Sequence, residues 1–246
     1  MTSEQRLRSL SFAEALEVSR GFGRLSTGSQ VLDGVLGGGY EQGRISEAFG
    51  ESNTGKTQLA MQAAVMASAK GWSSLFVDTE STFRPERVKE IAEARGVDAE
   101  AALERIIWVR ARDVESQIEV VMTAGENPRV RSARLVVVDT VTKNFTLEFP
   151  GRERTGRRQG ALAAYLDAIA LDAFFNKRVV LLTNRVAAVP REGASQVVDL
   201  GGLTLRKFVS KSLRLTRDGD YIVANLESGP GPEALVRCQI SKKGFD

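Results

Sequence analysis

The sequence predicts an α/β fold in which helices flank a mostly parallel sheet that ends in an antiparallel extension on its C-terminal side. Apolar runs suited to buried strands alternate with helix-forming segments between residues 45 and 183, as in successive strand–helix–strand units. A glycine-rich loop joins the first of these strands to the helix that follows it. Beyond residue 202 the chain changes to shorter β-like segments, which favours antiparallel pairing.

Each element is assigned from its apolar periodicity and from the residues that end it. A triple glycine at residues 37–39 ends the second helix, and the apolar, valine-rich run at 135–138 is typical of a buried parallel strand. Helices are expected at residues 4–20, 31–36, 58–69, 84–94, 114–124 and 160–175. Strands are expected at residues 45–49, 74–78, 106–109, 135–139, 178–183, 212–216, 221–226 and 235–240.

Length and composition indicate one large domain. The 246 residues are 42% hydrophobic, which predicts a well-buried core; we expect an N-terminal arm at residues 1–24 and the domain at residues 25–246. No apolar run approaches the roughly 20 residues that span a bilayer, and the polar N-terminus argues against a secretory signal. We therefore expect a cytoplasmic, nucleoid-associated protein without a membrane partner.

The cysteine and histidine counts exclude several kinds of chemistry. Cys238 is the only cysteine, so no internal disulfide can form, and its apolar surroundings favour a place in the core. Because the chain has no histidine, a histidine-dependent catalytic triad and a histidine-ligated metal are excluded. Any general base must be a carboxylate, a lysine or a group acting through water.

Residues 50–57 fit the P-loop pattern G-x-x-x-x-G-K-[ST]. Backbone N–H groups of such a loop cradle phosphate oxygens, Lys56 reaches the outer phosphates, and the Thr57 hydroxyl ligates Mg²⁺. A plain glycine-rich turn is the alternative, but strand, loop and helix occur here in the required order. The pattern predicts a nucleoside triphosphate site with Mg²⁺. The loop residues are Gly50, Glu51, Ser52, Asn53, Thr54, Gly55, Lys56 and Thr57.

Acidic residues at two other strand ends are candidates for the metal and for catalysis. Asp139 follows a buried strand and would share the P-loop's crevice, which suits a Mg²⁺ ligand; the alternative is an ordinary capping residue. Asp78 ends the strand at residues 74–78, and Glu80 follows two residues later. We favour Glu80 as the residue that aligns water on the terminal phosphate, with Asp78 as the competing candidate.

Two basic segments stand out against a nearly balanced chain. The whole sequence carries a net charge of +3, yet residues 143–158 alone carry +3 and residues 185–217 carry +5. The remainder is therefore acidic. Such clusters are usually solvated faces, but they are also the signature of a surface that binds nucleic acid.

With these motifs, the chain resembles the archaeal RadA recombinases, their eukaryotic relatives and, more distantly, bacterial RecA. The resemblance extends from about residue 12 to residue 246. Its most specific blocks are D-T-E-x-T-F-R-P-E-R at residues 78–87 and E-[FY]-P-G-R at residues 148–152. Further matching blocks lie at residues 25–29, 36–39, 50–58, 138–142, 182–184, 201–202 and 231–233. The resemblance implies a RecA-like P-loop ATPase core.

The resemblance also implies roles for matching residues. Glu80 falls on the family's catalytic glutamate, Gln58 extends the P-loop, and Arg87 falls on the arginine that stacks over the adenine of ATP. Residues 145–158 match the first DNA-binding loop and residues 188–200 the second. Single-stranded DNA is the expected partner, with double-stranded DNA as an alternative. The candidate DNA contacts are Arg152, Arg154, Arg157, Arg158 and Arg191.

Phe12 and Ala15 resemble the F-x-x-A motif that docks one subunit on the next. The motif implies either a homo-oligomer or an assembly with a full-length recombinase. The alternative is an ordinary amphipathic helix.

The sequence departs from the family at elements that couple ATP to DNA. The N-terminal helical domain is expected to be absent and the second loop lacks aromatic residues. Arg185 replaces the glutamine that senses the terminal phosphate, and Lys207 replaces a histidine; either cation is a candidate phosphate contact. These departures favour a recombinase paralogue or mediator in homologous recombination and DNA repair, with slow DNA-dependent ATP hydrolysis. The alternatives are an ATP-gated adaptor with little DNA contact and a signalling ATPase of the KaiC-like branch.

Overall fold

A computed structural model of the chain describes residues 10–124, 126–191, 194–228 and 234–246, with the backbone alone for residues 187–191 and 194–199. The helices are α1 (Phe12–Arg20), α2 (Gln30–Val35), α3 (Lys56–Ala69), α4 (Pro85–Ala94), α5 (Ala99–Glu104), α6 (Val114–Met122), α7 (Pro128–Ser132), α8 (Lys143–Glu148), α9 (Thr155–Asn176) and α10 (Gly202–Arg206). The strands are β1 (Arg24–Leu25), β2 (Tyr40–Glu41), β3 (Arg44–Gly50), β4 (Ser73–Asp78), β5 (Ile106–Arg110), β6 (Ala133–Asp139), β7 (Val179–Arg191), β8 (Ala194–Asp199), β9 (Val209–Asp218), β10 (Tyr221–Ser228), β11 (Leu235–Ser241) and β12 (Gly244–Phe245).

The main sheet has the order β12-β11-β10-β9-β3-β7-β6-β4-β5. The strands β9, β3, β7, β6, β4 and β5 run parallel to one another. Strands β10, β11 and β12 continue the sheet beyond β9 with antiparallel pairing. The expected parallel sheet with an antiparallel C-terminal extension is confirmed. Strand β3 lies inside the parallel part, so the P-loop that follows it opens at the carboxyl edge of the sheet.

Two hydrophobic layers cover the faces of this sheet. One is built around α3, which is alanine-rich and buried along most of its length because strands lie on one side and α4, α5 and β12 on the other. The second is built around α9, where Leu162, Tyr165, Leu166 and Ile169 form the buried stripe. Helices on both faces of a parallel sheet explain why β6 and β7 are apolar on successive residues.

Several expected boundaries are wrong. Helix α1 begins at Phe12, because Ser11 caps it by accepting the N–H of Glu14 while the Glu14 carboxylate accepts the N–H of Ser11; residues 1–9 lie outside the described part. Helix α6 ends at Met122 and α9 begins at Thr155, not at residue 160. No helix in the described part is long and apolar enough to cross a membrane.

The two segments expected as loops are largely regular structure. Residues 145–158 comprise the end of α8, a short turn and the start of α9. Most of residues 188–200 belong to an antiparallel pair, in which Val186–Arg191 of β7 faces Ala194–Asp199 of β8. The valines on both strands favour this extended pairing. The motif at residues 231–233 lies outside the described residues.

Candidate functional site

The P-loop connects β3 to α3, and its backbone path requires a glycine at position 55. Gly55 is the N-cap of α3 and adopts φ +88°. A Cβ at this position would lie 2.6 Å from Cδ1 of Ile240 and 2.7 Å from Cζ of Phe245. A side chain here is therefore excluded both by backbone conformation and by the C-terminal strands packed behind the loop.

Lys56 lies inside the loop and is only 8% exposed. Its Nζ donates to the carbonyl oxygens of Gly50, at 3.0 Å, and of Glu51. Burial lowers the pKa of Lys56, as does the nearby guanidinium of Arg185, while Asp139 and Glu80 act in the opposite direction. A phosphate would give this buried ammonium group charged acceptors that are stronger than carbonyl oxygens.

Thr57 and Asp139 meet, as the sequence predicts. The Thr57 hydroxyl donates to Oδ2 of Asp139 at 2.8 Å, and the hydroxyls of Thr82 and Thr183 also donate to this carboxylate. Burial raises the pKa of Asp139 despite these three hydrogen bonds.

These oxygens fit Mg²⁺. No group of three or more carboxylate, cysteine or histidine side chains in the described part could hold a metal. Mg²⁺, however, is usually held by one or two protein oxygens together with phosphates and waters. Thr57 and Asp139 supply that kind of donor set beside the P-loop.

Asp78 and Glu80 have different environments. Asp78 is fully buried and accepts the backbone N–H groups of the four residues 80–83, as well as Nε1–H of Trp108 at 3.3 Å. Glu80 instead lines the cavity in front of the P-loop. There its carboxylate accepts the hydroxyl of Thr140 at 2.8 Å and forms an ion pair with Arg185. This geometry favours Glu80 as the residue that faces water, with Asp78 building the turn that carries it.

The cavity has a volume of about 780 Å³, large enough for a nucleotide. It is bordered by the P-loop, by the ends of β4 and β6, and by β9 to β11. The predicted residues that line it are Ser52, Asn53, Gly55, Lys56, Thr57, Gln58, Glu80, Arg87, Asp139 and Arg185. Gly50, Glu51 and Thr54 instead line a second cavity of about 470 Å³. Lys207 is exposed at the end of α10 and does not line the main cavity.

Arg87 is fixed at the wall of the cavity. Its guanidinium donates to Oε1 of Gln58 at 2.6 Å, to the carbonyl oxygens of Ser241 and Lys242, and to Glu90. Gln58 and the turn between β11 and β12 thus hold the guanidinium beside the P-loop helix, a place that suits a group lying against a base.

The C-terminal strands contribute residues that the sequence analysis missed. Ile240, Ser241 and Lys242 line the cavity, and the Arg217 guanidinium donates twice to the carbonyl oxygen of Asn53. Arg217 therefore supports the tip of the P-loop. Its membership of a basic segment was the only signal that could have indicated it.

The side chains of the predicted DNA contacts differ in their exposure and in their hydrogen bonds. Arg152 and Arg154 are exposed on the turn between α8 and α9, and Arg157 is exposed in the first turn of α9. Arg158 is half-buried and donates to the carbonyl oxygen of Phe149 at 2.8 Å and to the Thr155 hydroxyl at 3.3 Å. The side chain of Arg191 lies outside the described part.

A buried polar row joins the bases of the two basic segments. Asn184 donates to the Glu47 carboxylate at 2.9 Å and to the carbonyl oxygen of Leu200, and it accepts the Thr142 hydroxyl at 2.7 Å. Ser212 donates to the same Glu47 at 2.6 Å. Thr142 precedes α8 and Leu200 follows β8, so Asn184, next to Arg185, contacts the base of both segments.

Phe12 is 98% exposed, and none of the residues of α1 is buried. Ala15 is partly exposed one turn later. Helix α1 therefore contributes no buried side chain to the core of its own domain.

The sheet order, the P-loop and the acidic residues at the neighbouring strand ends define a RecA-like P-loop ATPase fold. The protein-family model of Rad51 matches residues 21–245, so the chain belongs to the Rad51 family. Members of this family are DNA-dependent ATPases that bind ATP with Mg²⁺, bind DNA and form oligomers.

Proposed function

We propose that this protein is an ATP- and DNA-binding ATPase that acts in homologous recombination and DNA repair as a recombinase paralogue or mediator. The observation that carries this proposal is the convergence of Lys56, Thr57, Asp139 and Glu80 on one cavity at the carboxyl edge of the sheet. Family membership supports the recombination role. The replacement of the expected glutamine by Arg185 favours an accessory protein over the main strand-exchange enzyme.

The residues of the cavity have separate roles in ATP hydrolysis. Lys56 and the P-loop amides bind the phosphates, and Arg87 holds the adenine. Thr57 and Asp139 would hold Mg²⁺, which neutralises charge on the phosphate oxygens during transfer. Glu80 orients the attacking water, because its carboxylate faces the cavity and is positioned by Thr140.

The decisive experiment measures ATP hydrolysis with and without single-stranded DNA for the wild type, Lys56→Ala and Glu80→Gln. We expect slow hydrolysis that DNA stimulates in the wild type and a loss of at least tenfold in both variants. Hydrolysis by the wild type that does not respond to DNA would contradict the proposal.

The test of DNA contact compares a variant of the predicted DNA-binding segment with a matched control variant on the opposite edge of the sheet. The Arg152→Ala/Arg154→Ala variant is expected to weaken single-stranded DNA binding and to flatten its salt dependence. Arg129→Ala/Arg131→Ala removes the same charge from α7, which precedes β6 at its amino end, and is expected to leave DNA binding unchanged. Equal effects of both variants would indicate a general charge effect without a site.

A second candidate function is an adaptor that docks on a full-length recombinase, and the exposure of Phe12 favours it. Phe12→Ala is then expected to abolish association with the recombinase, whereas Leu171→Ala, which truncates a 52% exposed side chain on α9, has no effect. If Phe12→Ala loses association with the recombinase but still binds DNA, the protein is the enzyme with a docking arm. The adaptor hypothesis instead predicts weak DNA binding by the wild type and by every variant.

A further inference from the structure

Arg185 and Glu80 both line the cavity and form an ion pair there. In register, Arg185 lies opposite Gly50, the first residue of the P-loop. The Glu80 side chain is 12% exposed, while that of Arg185 is 50% exposed. The backbone of Arg185 is fixed, because its N–H donates to Oδ1 of Asn184 and its carbonyl accepts the N–H of Leu200. The backbone of Arg185 is therefore anchored, and its half-exposed guanidinium is held by the Glu80 carboxylate alone among the contacts described.

The charges around the cavity indicate that a bound phosphate would compete with Glu80 for the Arg185 guanidinium. Lys56 and Arg185 face Glu80 and Asp139, and all four side chains line the same space. A terminal phosphate seated on Lys56 would bring more negative charge to the guanidinium than a single carboxylate does. A diphosphate, which lacks that group, would leave the pair with Glu80 in place.

We infer that Arg185 is a triphosphate-reading residue that exchanges the Glu80 carboxylate for the terminal phosphate. Its pairing holds Glu80 away from water until the triphosphate takes the guanidinium. The inference rests on the proposed ATP site and deepens it, because it states how this chain distinguishes ATP from ADP.

The test is equilibrium binding of fluorescent ADP and of a non-hydrolysable ATP analogue, with Mg²⁺, to the wild type, Arg185→Ala, Glu80→Gln and the double variant. Exchange predicts that Arg185→Ala loses about tenfold in affinity for the triphosphate, the loss of one charge-assisted contact. Glu80→Gln gains severalfold, because the guanidinium no longer has a competing partner. The affinity for ADP is expected to change less than twofold in both single variants.

The double variant separates exchange from a general charge effect. If removing the Glu80 charge only relieves its repulsion of phosphate, the gain in affinity persists in the Arg185→Ala background; exchange predicts that the gain disappears. Glu90→Gln is the matched control, since Glu90 also lines the cavity but pairs with Arg87, and it is expected not to alter the preference for triphosphate.

Thermal melting of every variant shows whether the fold is retained, and Arg185→Met, which keeps the length of the side chain without its charge, replaces Arg185→Ala should the latter unfold. Unchanged or weaker triphosphate binding by Glu80→Gln would overturn the inference and leave the proposed function standing. No binding of the analogue by the folded wild type would overturn the proposed function itself.

Discussion

Asp78 and Glu80 show how two acids two residues apart acquire different roles. The side chain of Asp78 points back into the turn and accepts the N–H groups of residues 80–83, whereas Glu80 faces the cavity. Because both follow the same strand, the sequence could place them at the carboxyl edge of the sheet without separating their roles. The separation depends on the turn that Asp78 itself forms.

Asp78→Ala is expected to lower the free energy of unfolding by about 3 kcal/mol, because four backbone N–H groups lose their charged acceptor. Glu80→Gln keeps the length of the side chain and is expected to change stability by less than about 1 kcal/mol. Urea unfolding of both variants measures the difference. Equal destabilisation would contradict the assignment of separate roles.

Cys238 is expected to react slowly with thiol reagents. It is 1% exposed, and burial raises its pKa to about 11, so the reactive thiolate is scarce at pH 8. Labelling in native buffer is expected to be at least about a hundredfold slower than labelling in urea. Because the folded state binds this proton more tightly, the free energy of unfolding should also fall as pH rises from about 9 towards 11. Fast labelling of the native protein would contradict this placement.

At the scale of elements, segments with clear flanking signals were predictable, including the six-residue helix α2 that a triple glycine follows, whereas most other short helices were not. Strands β6 and β7 and helix α3 were expected to begin within two residues of their observed starts, because buried β-branched runs and the P-loop mark them clearly. The five- and six-residue helices α5, α7 and α10 are too short for a periodicity to be recognised. The start of α9 was missed because its N-cap, Arg154, makes no capping hydrogen bond.

The start of α9 yields a prediction that separates anchoring from DNA binding. Arg158→Ala removes hydrogen bonds to Phe149 and Thr155 and is expected to cost about 1 kcal/mol of stability. Arg157→Ala removes an exposed charge, so stability should stay constant while the slope of log affinity for single-stranded DNA against log salt falls by about 0.7. Melting curves and a salt titration of both variants test this. A large loss of stability in Arg157→Ala would contradict it.

At the scale of the whole molecule, the site combines local motifs with distant strands. The P-loop, Glu80 and Asp139 were predictable, because the carboxyl ends of adjacent parallel strands meet at one edge of the sheet. Ile240, Ser241 and Lys242 were not, because their place depends on the antiparallel return of β10 and β11. The row from Thr142 through Asn184 and Glu47 to Ser212 likewise joins four separate segments, and no single stretch of sequence carries its pattern.

The C-terminal strands are expected to support the P-loop from behind. Phe245 is fully buried and its ring lies directly behind Gly55, so Phe245→Ala removes both core contacts and the support of the loop. We expect a loss of about 3–4 kcal/mol in the free energy of unfolding and a weaker affinity for an ATP analogue at a temperature where the variant is still folded. Tyr221→Ala, which truncates a 46% exposed aromatic residue on β10, is the control and should change neither quantity. If folded Phe245→Ala binds the ATP analogue with unchanged affinity, the P-loop holds its shape without the last strand.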